Sequence, residues 1–217
     1  MKKNLLTILF ISTLTVSIIS CKDKAKEANT TEAEEVVEVM PEAKFKADLA
    51  ASTIEWKGFK PTGTHNGTID LESGVLNTTD GKISGGTFLI DMSSIKVTDI
   101  PAEDEGNGQL VGHLTSPDFF DVENHPNAAF EITGLEEAEG KMMLSGNLAL
   151  KDVKNNITFP VSVTQENDSI SLESETFTID RSKWNVKYGS KSFFDDLGDK
   201  FINDDIELKI TLKAAKS

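Results

Sequence analysis

Ile206-Glu207-Leu208-Lys209-Ile210-Thr211-Leu212-Lys213 alternates apolar and polar residues without a slip. Successive side chains of a β-strand point to opposite faces, so this stretch buries one face and wets the other. Ile157, Phe159, Val161 and Val163 repeat the pattern against Thr158, Pro160, Ser162 and Thr164. Further out, Met142, Leu144, Leu148 and Leu150 share one parity, with Gly146 between them. Ala128, Phe130 and Ile132 form another such set, as do Ile54 and Trp56, and Phe88, Ile90 and Met92. Turn signals separate the runs: Pro61-Thr62-Gly63, Asp80-Gly81, Glu139-Gly140 and Asn167-Asp168. Many short strands at regular spacing predict an all-β antiparallel domain, a sandwich or a barrel, and argue against a βαβ sheet. No repeat of fixed period supports a solenoid or a propeller.

One stretch breaks the rhythm. Pro101 to Thr115 carries Ala102-Glu103-Asp104-Glu105 early and Leu110, Val111 and Leu114 later. Acids at the start and an i, i+1, i+4 apolar pattern predict a helix. Ser116 before Pro117 has the form of an N-cap and first helical residue, which predicts a second short helix. One or two short helices are therefore expected among the strands, closing one end of a barrel.

The chain has 217 residues, 22 Lys+Arg against 36 Asp+Glu, a net charge of −14 and one Cys. Residues 1–46 balance seven Lys against seven acids, so the whole excess lies on the rest. Phosphate backbones repel such a surface, so no nucleic-acid partner is expected. A single Cys makes neither an internal disulfide nor a cysteine-rich zinc site. At 38% hydrophobic residues the chain supports a packed core and not a multi-span membrane protein.

The N-terminus reads as an address. Lys2 and Lys3 precede a mostly apolar run from Leu5 to Ile19, short for a membrane span. Ile18-Ile19-Ser20-Cys21 resembles a bacterial lipobox, in which the Cys becomes the acylated first residue of the mature protein. The alternative is an ordinary signal peptide with a chance Cys. The expected organisation is a lipoprotein signal at 1–20, a disordered tether at 21–46 and a β-barrel domain at 47–217. The tether is polar, charged and without aromatics up to its last few residues, a composition that cannot repay its ordering entropy; a short helix around Glu32–Val39 is the other option. Acylation at Cys21 would hold the protein on a membrane of the cell envelope, periplasmic or outer-membrane-associated, without spanning it.

Several motifs follow in order. They are Trp56-Lys57-Gly58, Gly63-Thr64-His65-Asn66-Gly67 and Ser84-Gly85-Gly86-Thr87-Phe88-Leu89-Ile90-Asp91-Met92. Then come Gly112-His113-Leu114-Thr115-Ser116-Pro117-Asp118-Phe119-Phe120-Asp121-Val122 and His125-Pro126-Asn127-Ala128-Ala129-Phe130. Gly146-Asn147-Leu148, Lys151-Asp152-Val153 and Phe177-Thr178-Ile179-Asp180-Arg181-Ser182-Lys183-Trp184 complete the series. The ordered set resembles the YceI-like family of polyisoprenoid-binding, lipocalin-like bacterial proteins over Lys46–Ala215. The resemblance implies an antiparallel eight-stranded barrel and an apolar interior that binds or carries a polyisoprenoid or an isoprenoid quinone tail. It also implies export, no catalysis, no obligate cofactor beyond that ligand, and in many members a homodimer.

A barrel of about eight strands is just wide enough to hold its own side chains or one slender ligand. Small residues Gly58, Ala128 and Gly146 recur at inward parity beside Trp56, Phe130, Leu144 and Leu148. Either they leave room that an apolar chain fills, at about 0.8 kcal/mol per buried CH₂, or they mark bends in a packed core. The expected lining is Trp56, Gly58, Phe88, Ile90, Phe119, Phe120, Phe130, Leu144, Gly146, Leu148, Phe159, Phe177 and Trp184. A filled barrel serving as an interaction scaffold is the competing reading.

His65, His113 and His125 fit no metal-ligand spacing, and no hydrolase, Walker or zinc-protease motif is present, so no metal and no catalytic residues are expected. His113 is expected to anchor its helix by a hydrogen bond near the mouth, with His65 or His113 touching a ligand headgroup as the alternative. Arg181 is the only Arg in the chain. It either pairs with a carboxylate such as Asp180 to pin its strand, or binds a pyrophosphate headgroup. Phe119-Phe120, Phe193-Phe194 and Trp184 either cap the core or gate the mouth.

Overall fold

The computed structural model describes residues 25–36 and 40–217. The signal at 1–20 and the acylation site at Cys21 lie outside the described residues. Among the described residues there are twelve strands: β1 Lys26–Glu27, β2 Asn29–Glu32, β3 Ala43–Ala47, β4 Thr53–Lys60, β5 Gly63–Thr79, β6 Lys82–Val97, β7 Asn127–Ala138, β8 Lys141–Leu150, β9 Val153–Gln165, β10 Ser169–Ser174, β11 Phe177–Asp180 and β12 Asp205–Lys216. Helix α1, Glu105–Thr115, separates β6 from β7.

The sheet closes on itself. Each neighbour in the series β4, β5, β6, β7, β8, β9, β10, β12 pairs antiparallel with the next, and β12 returns to β4 through Leu208↔Trp56 and Ile210↔Ile54. Of the sandwich and the barrel, the chain makes the barrel, which removes the exposed edges of an open sheet. Two staves are interrupted. β3 extends the β4 stave between β12 and β5, and β11 extends the β10 stave along β12. β5 and β6 are long and carry register shifts between Thr68 and Asp70 and between Leu71 and Ser73, which bend both strands around the ring.

The interruption after Ser174 leaves half of β9 without a neighbour, and the N-terminal segment fills that gap. β1 lies parallel to β11 (Lys26↔Phe177), and β2 lies antiparallel to β9 (Asn29↔Thr158 to Glu32↔Asn155). Asn147 then clasps the next turn of chain: its Oδ1 accepts from the Glu34 N–H at 2.9 Å and its Nδ2 donates to the Glu34 carbonyl at 2.8 Å. The expected disordered tether is thus, over Lys26–Glu32, a piece of barrel wall. Its composition lacks an apolar face, but its backbone satisfies N–H and C=O groups that the broken stave leaves open. The described part of Glu32–Val39 holds no helix, because Glu32 closes β2.

α1 starts later than Pro101. Asp104 caps it by accepting the Gly106 N–H at 2.8 Å. The second predicted helix does not form. Ser116 ends α1 instead, its hydroxyl donating to the His113 carbonyl at 2.7 Å, and residues 117–120 make a turn. Two short 3-10 turns, Arg181–Trp184 and Gly198–Lys200, flank the long loop between β11 and β12.

Candidate functional site

The lumen is hollow at one end and packed at the other. The hollow end is bounded by the β4–β5 turn, α1 and the loop 185–204. It holds an apolar cavity of about 390 Å³. Such a volume lies inside the roughly 300–1,000 Å³ range of small-molecule sites. Inward parity brings Trp56, Gly58, Ile90, Ala128 and Leu148 to its wall. A Cβ added at Gly58 would meet nothing within 4 Å, so this glycine opens real space. The indole N–H of Trp56 is buried without a hydrogen-bond partner.

Gly146 is the opposite case. A side chain there would collide with the Phe130 ring, which already fills the room that glycine leaves. Phe88 lies over Gly74 in the same way. Phe88, Phe130, Leu144 and Phe159 line only a second void of about 60 Å³ in the lower half. Phe177 stacks on Phe159 with centroids 4.2 Å apart and reaches neither void. Trp184 also lies off the cavity, fully buried, with its N–H donating to the Leu148 carbonyl at 2.9 Å. Of the expected lining, Trp56, Gly58, Ile90, Phe119, Phe120 and Leu148 border the cavity, and Gly146, Phe177 and Trp184 are packing residues.

The mouth gathers the polar groups. His65, His113 and Arg181 all border the cavity, with Lys60 and Lys200 beside them. His65 Nδ1 lies 2.9 Å from Asp99, which also accepts the Asn66 N–H at 2.8 Å. Partial burial works to raise the Asp99 pKa, but these hydrogen bonds outweigh it and hold the carboxyl below its ordinary value. His113 anchors α1 through ring contacts in place of the expected hydrogen bond: it stands edge-on to Tyr188 at 4.6 Å and to Phe119 at 5.7 Å. His125 sits between Asp121 and Asp152, away from the cavity. Among the described residues no group of three or more His, Cys, Asp or Glu is placed to hold a metal ion.

Arg181 is fully buried and faces inward. Its Nε donates to the Asn203 carbonyl at 3.1 Å, Nη1 to Val186 at 2.6 Å and Nη2 to Ile202 at 3.0 Å. Its ion partner is Asp204 at 3.3 Å, while Asp180 accepts the Ser182 N–H and starts the 3-10 turn. The guanidinium also lies over the Phe119 ring at 5.2 Å. Burial lowers its pKa from the ordinary value, and Asp204 and Asp180 oppose the shift. With Nε and both terminal nitrogens engaged on backbone carbonyls, Arg181 pins the mouth loop. Asp204 extends the network by accepting the Ser192 hydroxyl at 2.7 Å.

Tyr188, Ile202 and Asn203 also border the cavity, from a loop whose sequence has no alternation to reveal them. The only sequence signal near them is Arg181, the lone Arg of the chain. Phe193 and Phe194 are about half exposed and lie off the cavity, whereas Phe119 and Phe120 border it.

The fold is shared with solved structures. The Burkholderia cenocepacia protein BcnA superposes with a TM-score of 0.60 at 22% identity, covering 78% of this chain and 99% of that one. A polyisoprenoid-binding domain from Saccharophagus degradans, implicated in plant cell wall breakdown, gives 0.60 at 17% identity, covering 80% and 98%. No curated protein matches the chain. Residues 45–214 match the YceI-like domain, and the chain belongs to that family.

Proposed function

We propose that this protein binds the apolar chain of an isoprenoid lipid or quinone in its barrel, without catalysis, as an exported lipoprotein held on a membrane through Cys21. The 390 Å³ cavity carries the reading: it is walled by Trp56, Ile90, Leu148 and Phe119 and polar only at its rim. A filled scaffold has no use for such a space, which costs dispersion contacts while empty. The Saccharophagus degradans domain, described as polyisoprenoid-binding, supports the ligand class. The tail lies along the apolar wall, and a polar or anionic headgroup meets Lys60, Lys200, His65 and His113.

Mass spectrometry of an organic extract of the purified protein, with native mass spectrometry before and after delipidation, tests the reading. The expected result is one isoprenoid species at fixed stoichiometry that delipidation removes. Bulk phospholipid alone overturns it. For the anchor, Cys21→Ser is expected to move the protein from the membrane to the soluble fraction, and continued membrane association contradicts acylation there.

A further inference from the structure

The two voids are stacked along one tube. Ile54 and Ile90 line both, so the lumen narrows between these two side chains. Below the neck, the Phe88 and Phe130 rings lie over Gly74 and Gly146, filling the tube where the wall is thinnest. Phe130, Phe159 and Phe177 continue as a run of ring contacts at 6.0 and 4.2 Å. The 60 Å³ left between the neck and these rings is smaller than the roughly 150 Å³ that admits a benzene molecule. At that packing, six carbons per ~150 Å³, the upper cavity of 390 Å³ takes about sixteen carbons, or about three isoprene units.

We infer that the barrel measures chain length: it houses about three isoprene units, Ile54 and Ile90 form the neck, and Phe130 seated on Gly146 is the stop. This rests on the proposed ligand class. A longer polyisoprenoid binds by its inner units only and leaves the remainder outside the mouth. The stop is specific to the residues that fill this lumen, because the same ring of strands with a small side chain at position 130 would be hollow further down.

The test uses the delipidated full chain and prenyl alcohols of two, three, four and six isoprene units as probes, with Kd read from Trp fluorescence or calorimetry. Burial at about 0.8 kcal/mol per CH₂ predicts that the step from two to three units tightens binding more than about tenfold. Steps beyond three change Kd less than about threefold, since the added carbons stay in water. Phe130→Ala moves the break to four or more units. Ile90→Ala widens the neck with a smaller loss of packing, and is expected to move the break in the same direction if Phe130→Ala folds poorly. Continued tightening through six units in the unaltered protein overturns the inference, as does a break that stays at three in both variants. Absence of binding at every length overturns the ligand class itself.

Discussion

Two glycines of one parity have different fates. Gly58 faces open space and Gly146 faces an aromatic ring. The sequence cannot separate them, because the deciding ring, Phe130, belongs to the neighbouring strand and its register is set only on pairing. Gly58→Leu is therefore expected to fill the upper cavity from the wall. Affinity for farnesol should fall at least about tenfold, since several buried CH₂ groups lose their place. The urea midpoint should hold or rise, because a strand gains a side chain. Arg181 was recognisable as an outlier among 21 Lys, but its partners were not. Val186, Ile202, Asn203 and Asp204 come from a loop whose path no local pattern encodes. Arg181→Met is expected to cost about 3–5 kcal/mol in urea denaturation, because it strands Asp204 and three carbonyls.

Among the elements, alternation located six of the eight staves, β4, β6, β7, β8, β9 and β12, but not β5 or β10, and acidic residues located α1. The N-terminal strands were illegible for a physical reason. Lys26–Glu32 shows no alternation to betray it: Ala28 alone is buried among apolar side chains, and the rest is held by backbone pairing at a seam that only the fold creates. Asn147→Ala removes both hydrogen bonds to Glu34 and is expected to cost about 1–3 kcal/mol. Hydrogen exchange should then quicken at residues 28–34 and along 155–158 before the rest of the ring responds. The β4–β5 end depends on Asp99, whose carboxyl is more acidic in the folded chain than unfolded. Its stabilisation is present above the ordinary carboxylate pKa and is lost as pH falls through the folded value. Asp99→Asn should therefore lower stability at neutral pH by up to ~1 kcal/mol, the scale of a partly exposed pair. The difference from the unaltered protein should vanish in strong acid, which denaturation midpoints across pH read directly.

For the molecule as a whole, barrel closure, a hollow upper half and a packed lower half place ligand affinity and fold stability in different tiers. Leu76, Phe45, Leu172 and Ile132 fill the lower tier and leave almost no exposed surface. The family motifs followed from the sequence; the division of the lumen did not, because cavity volume depends on which rings meet across the tube. Binding only the folded state stabilises it by about 2.7 kcal/mol at a hundredfold excess over Kd. Thermal unfolding of the delipidated protein should thus shift upward on adding farnesol. At the same farnesol concentration the shift should be no more than about half as large in Gly58→Leu.

The N-terminal strands have one more implication, for the order of assembly. Lys183 and Glu27 are 156 positions apart in the chain and form an ion pair. Residues 26–32 therefore have no complete docking place until β9, β11 and the turn carrying Lys183 have been made. The segment is a plank laid onto strands made long after it. A force on the chain ahead of Lys26, as from the membrane anchor proposed at Cys21, would peel that plank from its slot before loosening any stave of the ring.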